Sequence, residues 1–525
     1  MGMLRVQMQA VSRNAFRVMS PVVGLRFASS AVSFALKDSG LIRHQSFVGG
    51  KWVHAKDGAT FRVTNPANDD FLGTVPDMGV ADAKEAVEVA SHAFKTWSKT
   101  TAKSRHDILR KLYDLMMENS DDLARIITIE NGKTLAEAKG EATYSASYFE
   151  VRSEEAVRSY GENIPSAMPG LRNVVIKQPV GVCSILTPWN FPSAMLARKI
   201  GPALAAGCTI VVKPPAETPF SAIALAELAA RAGLPEGVFN IVTTDKNLKE
   251  VGKELCENPI VKKVSFTGST PIGKLIAGQA AGTLKKVSIE AGGNAPFIVF
   301  DDADIDAAVD GAMASKFRQA GQTCVCANRL YVQSSVYADF ASKLADRVDK
   351  FRLGNGLDKD VTMGPLIHGK AISKVDAHVQ DAISRGAQVL VGGKPASPNG
   401  KGIASSNFYL PTVLADVHPD SMLCKDETFG PLAGLVKFET EEEVIRMAND
   451  TEVGLAGYFY SRDVGRVWRV AEALEVGMIG TNTGLISQAV IPFGGVKESG
   501  LGREGGPHGI EEYQETKLIA FGGLA

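Results

Sequence analysis

The sequence predicts an α/β protein built from two doubly wound units, and three observations carry that reading. Short apolar runs alternate with segments of helical period through the middle of the chain. The alternation breaks at the glycine pair Gly292-Gly293 and then starts again. At 525 residues the chain is also too long for one ordinary core.

Folded sequence is expected from about residue 40, opening with a short hairpin over 47–52. Helical stretches at 81–97 and 104–131 follow, with apolar residues three and four apart. The period then changes. Runs at 182–186, 209–212, 239–242, 264–266 and 287–289 read as strands, separated by helical patterns at 194–206, 219–232, 247–257 and 271–281. Strands alternating with helices of this length imply a parallel sheet. Beyond Ala291-Gly292-Gly293, residues 296–300 and 329–332 read as strands, and 304–319 and 335–351 as helices. The Gly/Pro/Ser cluster over 392–402 reads as a surface loop, because strand-like sequence resumes at once.

Composition narrows the function classes. A hydrophobic fraction of 45% and a charged fraction of 22% suit a soluble globular chain. A net charge of −1 offers nothing to nucleic acid or an anionic membrane. No apolar run reaches the roughly 18 residues that a spanning helix requires. Six cysteines in this length are too sparse for a secreted disulfide framework, so a reducing compartment is expected. From Met1 to Lys37 there is no acidic side chain, while Arg5, Arg13, Arg17 and Arg26 alternate with apolar and serine residues. That is the pattern of a mitochondrial transit peptide. Removal near residues 27–30 and a matrix location are the expectation.

Two motif matches are misleading. Gly268-Ser-Thr-Pro-Ile-Gly273-Lys274-Leu275 nearly fits a phosphate-binding P-loop, but Leu275 has no hydroxyl to offer magnesium. Gly500-Leu-Gly502-Arg-Glu-Gly505 fits a dinucleotide fingerprint without the strand that should precede it, and reads as coincidence.

Cys324 stands in Gly321-Gln322-Thr323-Cys324-Val325-Cys326, between a helical pattern and a strand. A lone loop cysteine is more often structural than reactive. Its companions reverse that judgement. Glu290 ends the strand pattern 287–289, where ligands bind in parallel sheets, and can serve as a general base. Asn190, in Pro188-Trp189-Asn190-Phe191-Pro192, follows another strand and can donate its amide to an oxyanion. Nucleophile, base and oxyanion donor are the parts that acyl transfer through a thioester requires.

Pro188-Trp-Asn-Phe-Pro192, Phe266-Thr-Gly-Ser269, Glu290-Ala-Gly-Gly293, Gly321-Gln-Thr-Cys324, Glu427-Thr-Phe-Gly-Pro431 and Pro492-Phe-Gly-Gly-Val-Lys497 resemble the ordered motif set of the NAD(P)-dependent aldehyde dehydrogenases. Ala291 departs from the leucine usual there. The resemblance implies that Cys324 attacks the aldehyde, Asn190 holds the oxyanion and Glu290 activates water to release the acid. It implies cofactor contacts from Trp189, Lys213, Ala216, Gly268, Ser269, Glu427 and Phe429. It also implies an aldehyde-dehydrogenase-like division: a dinucleotide-binding domain over 38–160 and 179–290, and a catalytic domain over 291–506. A small β oligomerisation element over 161–178 and 507–525 would complete a homodimer or homotetramer.

Arg198 and Arg318 would be costly inside a substrate tunnel unless they met an anion. With Ser487 and the Cys324-Val325-Cys326 pair, they resemble the branch of the family that oxidises succinate semialdehyde. That implies a small aldehyde bearing a carboxylate, with glutarate semialdehyde one methylene longer as the near competitor. A methylene is worth only ~0.8 kcal/mol, too little to decide between them. Cys326, two residues from a low-pKa thiolate, suggests a reversible disulfide switch. Cofactor choice stays open between NAD and NADP, because Ala216 stands where NAD-preferring members carry glutamate and Glu217 is one residue on. A cofactor-independent esterase and a non-catalytic binding protein are the alternatives from other classes.

Overall fold

The computed structural model describes residues 34–397 and 403–524. The expected transit peptide lies outside the described residues up to position 33, as does its removal site, and so do residues 398–402 of the loop expected over 392–402. Folded structure begins earlier than residue 40. Phe34 is buried and packs edge-on against Phe220 at 5.3 Å, and the Lys37 N–H donates to Asp122 at 3.0 Å.

The described residues form two main sheets. The first has six strands in the order Gly500–Leu501, Lys286–Glu290, Val261–Thr267, Val182–Leu186, Thr209–Lys213 and Phe239–Ile241. All pair in parallel except Gly500–Leu501, which runs antiparallel along Ile289 and Glu290. The central strands Val182–Leu186 and Thr209–Lys213 are buried throughout, as strands covered by helices on both faces must be. The second sheet has seven strands: Gln388–Val391, Thr412–Ala415, Leu432–Phe438, Ala327–Gln333, Ala295–Val299, Ala456–Tyr460 and Met478–Thr481. Only Gln388–Val391 is antiparallel. The chain passes from one sheet to the other between Glu290 and Ala295, where the sequence pattern restarts. A separate sheet joins Glu162–Ile164, Arg172–Pro179 and Gln514–Phe521.

Three helical expectations need correction. The stretch over 104–131 is two helices, Ala102–Glu118 and Ser120–Asn131. Asn119 divides them, its side chain donating back to the Leu115 carbonyl at 2.8 Å, a local bond that competes with helix continuation. The helix Leu135–Arg158 is absent from the sequence reading altogether. Its serines, threonine and Gly140 depress helix propensity. A capping box between Thr134 and Glu137 starts it, and its alanines pack against the helix Ala194–Ala206. The third helix, expected over 304–319, is regular only over Ile305–Ala312. It widens to a π-helix over Met313–Phe317, and Gln319 and Ala320 then turn left-handed at φ 53° and 52°.

Candidate active site

That irregular segment delivers Cys324. Gly321 continues the left-handed run at φ 73°, and a Cβ there would stand 2.1 Å from the Gly430 carbonyl, so only glycine fits. Buried polar contacts hold the strained backbone in place. The Gln319 N–H donates to Glu137 at 2.5 Å. Lys133 donates to the Asn190 carbonyl at 2.8 Å and to Gln319 Oε1 at 3.1 Å. The Gln322 side chain accepts from the Ile367 N–H at 3.0 Å and donates to the Pro365 carbonyl at 3.3 Å.

Cys324 stands where two cavities meet. One, about 260 Å³, has Phe191, Arg198, Arg318, Ser487 and Phe493 among its lining residues. The other, about 400 Å³, is lined by Trp189, Asn190, Gly268, Ser269, Glu427 and Phe429. The structure therefore brings the three expected substrate residues to one side of the thiol and most of the expected cofactor residues to the other. The second wall fits a dinucleotide. Ser269 is the N-cap of the helix Thr270–Ala281 but makes no capping hydrogen bond, so that helix end offers free N–H groups to a phosphate. Trp189 and Phe429 meet edge-to-face at 5.6 Å, with Phe429 held at φ 55°. The P-loop resemblance there leads nowhere, because Lys274 points away to an ion pair with Glu498 at 2.6 Å.

Other residues differ from expectation. Cys324 is partly open, yet burial of its sulfur, reinforced by Glu290 and Glu427, pushes the thiol up to about 12. These surroundings oppose the low-pKa thiolate that the sequence suggested. Arg198 and Arg318 oppose that rise without cancelling it. Asn190 is buried, with one amide hydrogen donated to the Gln322 carbonyl at 3.2 Å and a second to offer. Glu290 does end its strand, but it lines neither cavity and both carboxylate oxygens are buried without hydrogen-bond partners. Burial first, and Glu504 second, push it up to about 8. Gly494 leaves it room: a Cβ there would lie 2.9 Å from the Glu290 carboxylate. Lys213 lines neither cavity. Its amine is buried against the Pro214 carbonyl at 2.8 Å and lowered by burial to about 8. Ala216 and Glu217 line an adjoining cavity of about 340 Å³, which shares His368 with the cofactor side. Glu427 accepts from the Gly293 N–H at 3.2 Å, and burial raises it to about 7. Cys326 turns inward, its thiol donating to the Lys316 carbonyl at 3.3 Å.

Arg198 does not snorkel to the surface. It is 1% exposed, lies 4.0 Å over the Phe493 ring, and pairs with Glu504 at 2.6 Å. Lys199 pairs with the other oxygen of the same carboxylate. Together these two cations hold Glu504 below the usual carboxylate range despite its burial. The sequence reading missed Glu504 because it lies in the glycine motif dismissed as coincidence. It also missed Lys133 and Glu141, a fully buried ion pair whose carboxylate caps the N-terminus of the helix Ala194–Ala206. A lysine and a glutamate eight residues apart carry no local signal of that role.

With the site in place, the similarities can be read. Residues 52–519 match the aldehyde dehydrogenase family. The chain belongs to that family. It is 58% identical to a glutarate-semialdehyde dehydrogenase of Pseudomonas aeruginosa, across 93% of this chain and 100% of that protein. It is 55% identical to the mitochondrial succinate-semialdehyde dehydrogenase of Mus musculus, across 92% of this chain and 91% of that protein. Among solved structures, an Escherichia coli NADP-dependent enzyme superposes with a TM-score of 0.90 at 56% identity, covering 93% of this chain and 100% of that one.

Proposed function

We propose that this aldehyde dehydrogenase oxidises succinate semialdehyde to succinate, with NAD or NADP as acceptor and Cys324 as the nucleophile. The observation that carries the reading is the position of Cys324 between a cavity bearing Arg198, Arg318 and Ser487 and a cavity built for a dinucleotide. The planar forks of two arginines suit a carboxylate at the far end of a short aldehyde. Glutarate semialdehyde fits the same chemistry with one methylene more, and relatives of both specificities share more than half of this sequence.

In this mechanism the Cys324 thiol gives its proton to solvent in the cavities it borders, its sulfur attacks the carbonyl carbon, and the Asn190 amide stabilises the resulting oxyanion. Trp189, Ser269, Glu427 and Phe429 would hold the nicotinamide cofactor beside Cys324, where it would supply the hydride acceptor needed to bring the adduct to the thioester level. Glu290 then takes a proton from water, which attacks the thioester and releases the acid. Its carboxylate must swing toward the thioester to do so, away from its present place against Gly494. Gly268 and Ala216 would extend the cofactor side, and Lys213 would have to leave the Pro214 carbonyl to join them.

The N-terminal segment is proposed to direct the enzyme to the mitochondrial matrix. The sheet made by Glu162–Ile164, Arg172–Pro179 and Gln514–Phe521 is proposed to assemble it into dimers or tetramers, since Ile164, Leu518 and Phe521 are exposed on it. Cys326 is proposed to close a disulfide with Cys324 under peroxide, two thiols giving one S–S bond while peroxide becomes water. The loop would have to turn Cys326 away from Lys316 first. If Cys326→Ala loses and regains activity as the parent does, the switch is wrong.

The main test is the rate of NADH and NADPH formation with succinate semialdehyde, glutarate semialdehyde and propanal. The two semialdehydes should far exceed propanal in kcat/KM. Equal rates for all three would refute the anchoring role, and no cofactor reduction would refute the dehydrogenase.

A further inference from the structure

The substrate-side cavity carries polar side chains that the motif pattern did not reveal, and Tyr144 is one of them. Tyr144, half-buried on the helix Leu135–Arg158, lines it together with Arg198, Arg318 and Ser487. One turn further along, Tyr148 is fully buried, and the two hydroxyls lie 2.5 Å apart with the rings tilted at 60°. Which hydroxyl donates follows from what surrounds each. Tyr148 has no other hydrogen-bond acceptor among the described residues, and a buried hydroxyl left without an acceptor is costly. Tyr148 therefore donates to the Tyr144 oxygen. The Tyr144 proton is left pointing at the cavity, and because its oxygen already accepts a bond, that proton is a stronger donor. Both tyrosines act electrostatically on Arg198, so the hydroxyl and the guanidinium converge on one region.

We propose that Tyr144 is a specificity-determining residue, donating its hydroxyl proton to the carboxylate at the far end of the substrate. Arg198 has part of its charge already answered by Glu504. An uncharged donor beside it adds a contact to the substrate anion without adding a further buried charge that would need a partner when the cavity is empty. Tyr148 is the positioning residue behind it. The inference rests on the carboxylate reading above.

The experiment compares kcat/KM for succinate semialdehyde and butanal, which share chain length and differ in the terminal charge, for the parent, Tyr144→Phe and Tyr148→Phe. Tyr144→Phe should lower the value for succinate semialdehyde about 10-fold, mostly through KM, as expected for one hydrogen bond to a charged group. Butanal should change less than about twofold, because it offers no anion to that donor. Tyr148→Phe should act in the same direction and more weakly, since it removes only the bond that orients Tyr144. Equal losses on both substrates, or none on succinate semialdehyde, overturn the role of Tyr144. A parent enzyme that takes butanal as readily as succinate semialdehyde overturns the carboxylate reading itself, and Tyr144 with it. Selectivity in the parent that is undiminished in Tyr144→Phe overturns Tyr144 alone.

Discussion

Glu290 and Glu504 are two carboxylates of one site, 3% and 5% exposed, and their surroundings drive them in opposite directions. Glu504 touches Arg198 and Lys199, and it stays ionised despite the cost of burial. Among the described residues Glu290 touches no cation and no hydrogen-bond donor, so desolvation wins and its pKa rises to about 8. The difference shows that burial alone does not fix a carboxylate's state. What decides is whether a cation arrives within contact distance. The ionised one anchors an arginine, and the poised one is ready to exchange a proton near neutral pH.

Breaking the comparison at Glu290 should have the largest effect. Glu290→Gln is expected to lower kcat by roughly 10²- to 10⁴-fold, the range of a missing general base. One equivalent of reduced nicotinamide per site should still form in a rapid burst, because only thioester hydrolysis needs the base. Stopped-flow absorbance measures both, and loss of the burst along with turnover would move Glu290 to the first half-reaction.

Removing one of Glu504's cations comes next. Arg198→Leu should raise KM for succinate semialdehyde by about 30-fold or more, the scale of breaking a buried charge pair, and change KM for propanal far less. Steady-state kinetics with both aldehydes decides, and equal changes would mean that Arg198 serves packing alone.

Neutralising Glu504 sharpens the comparison more gently. In Glu504→Gln the negative charge that raises Glu290 is gone, and Arg198 and Lys199 are freed to stabilise its ionised form. Both changes lower the pKa of Glu290, so the rise of kcat with pH should move to lower pH by roughly one unit. A shift to higher pH would contradict the electrostatic picture.

The smallest effect is on stability. Glu290 binds its proton more tightly when folded than an ordinary glutamate does when unfolded, since its pKa is raised from 4.5 to about 8. Its contribution is therefore most favourable at low pH and is lost as pH rises through that window. Glu290→Gln should flatten this part of the stability profile, raising Tm relative to the parent at pH values near 8 and little at pH values near 5. Thermal melts across that range measure it, and parallel profiles would show that Glu290 does not titrate there.

Much of this site was legible in the chain because local motifs carried it. Cys324, Asn190 and Glu290 each end or follow an element whose period is visible, and Phe429 and Ser269 sit in short signatures. The parallel sheets were legible for the same reason, since strands buried on both faces read as continuous apolar runs. What stayed hidden depends on contacts between distant segments. Glu504 meets Arg198 across 306 positions of sequence, a separation no spacing rule detects. The helix Leu135–Arg158 was hidden because its small polar residues, which allow close packing against Ala194–Ala206, also weaken its helical signature. The left-handed turn at Gln319 and Ala320 was hidden because neither residue type announces positive φ. The inward turn of Cys326 likewise follows from packing against Lys316, not from its distance to Cys324.

The central claim is a covalent thioester on Cys324, and it can be seen directly. Glu290→Gln, mixed with succinate semialdehyde and the oxidised cofactor, then acid-quenched and digested, should yield the peptide containing Cys324 with one succinyl group added. The same treatment without cofactor should leave no succinyl group. An unmodified Cys324 peptide alongside full formation of reduced cofactor, or the succinyl group on any other residue, would contradict the account.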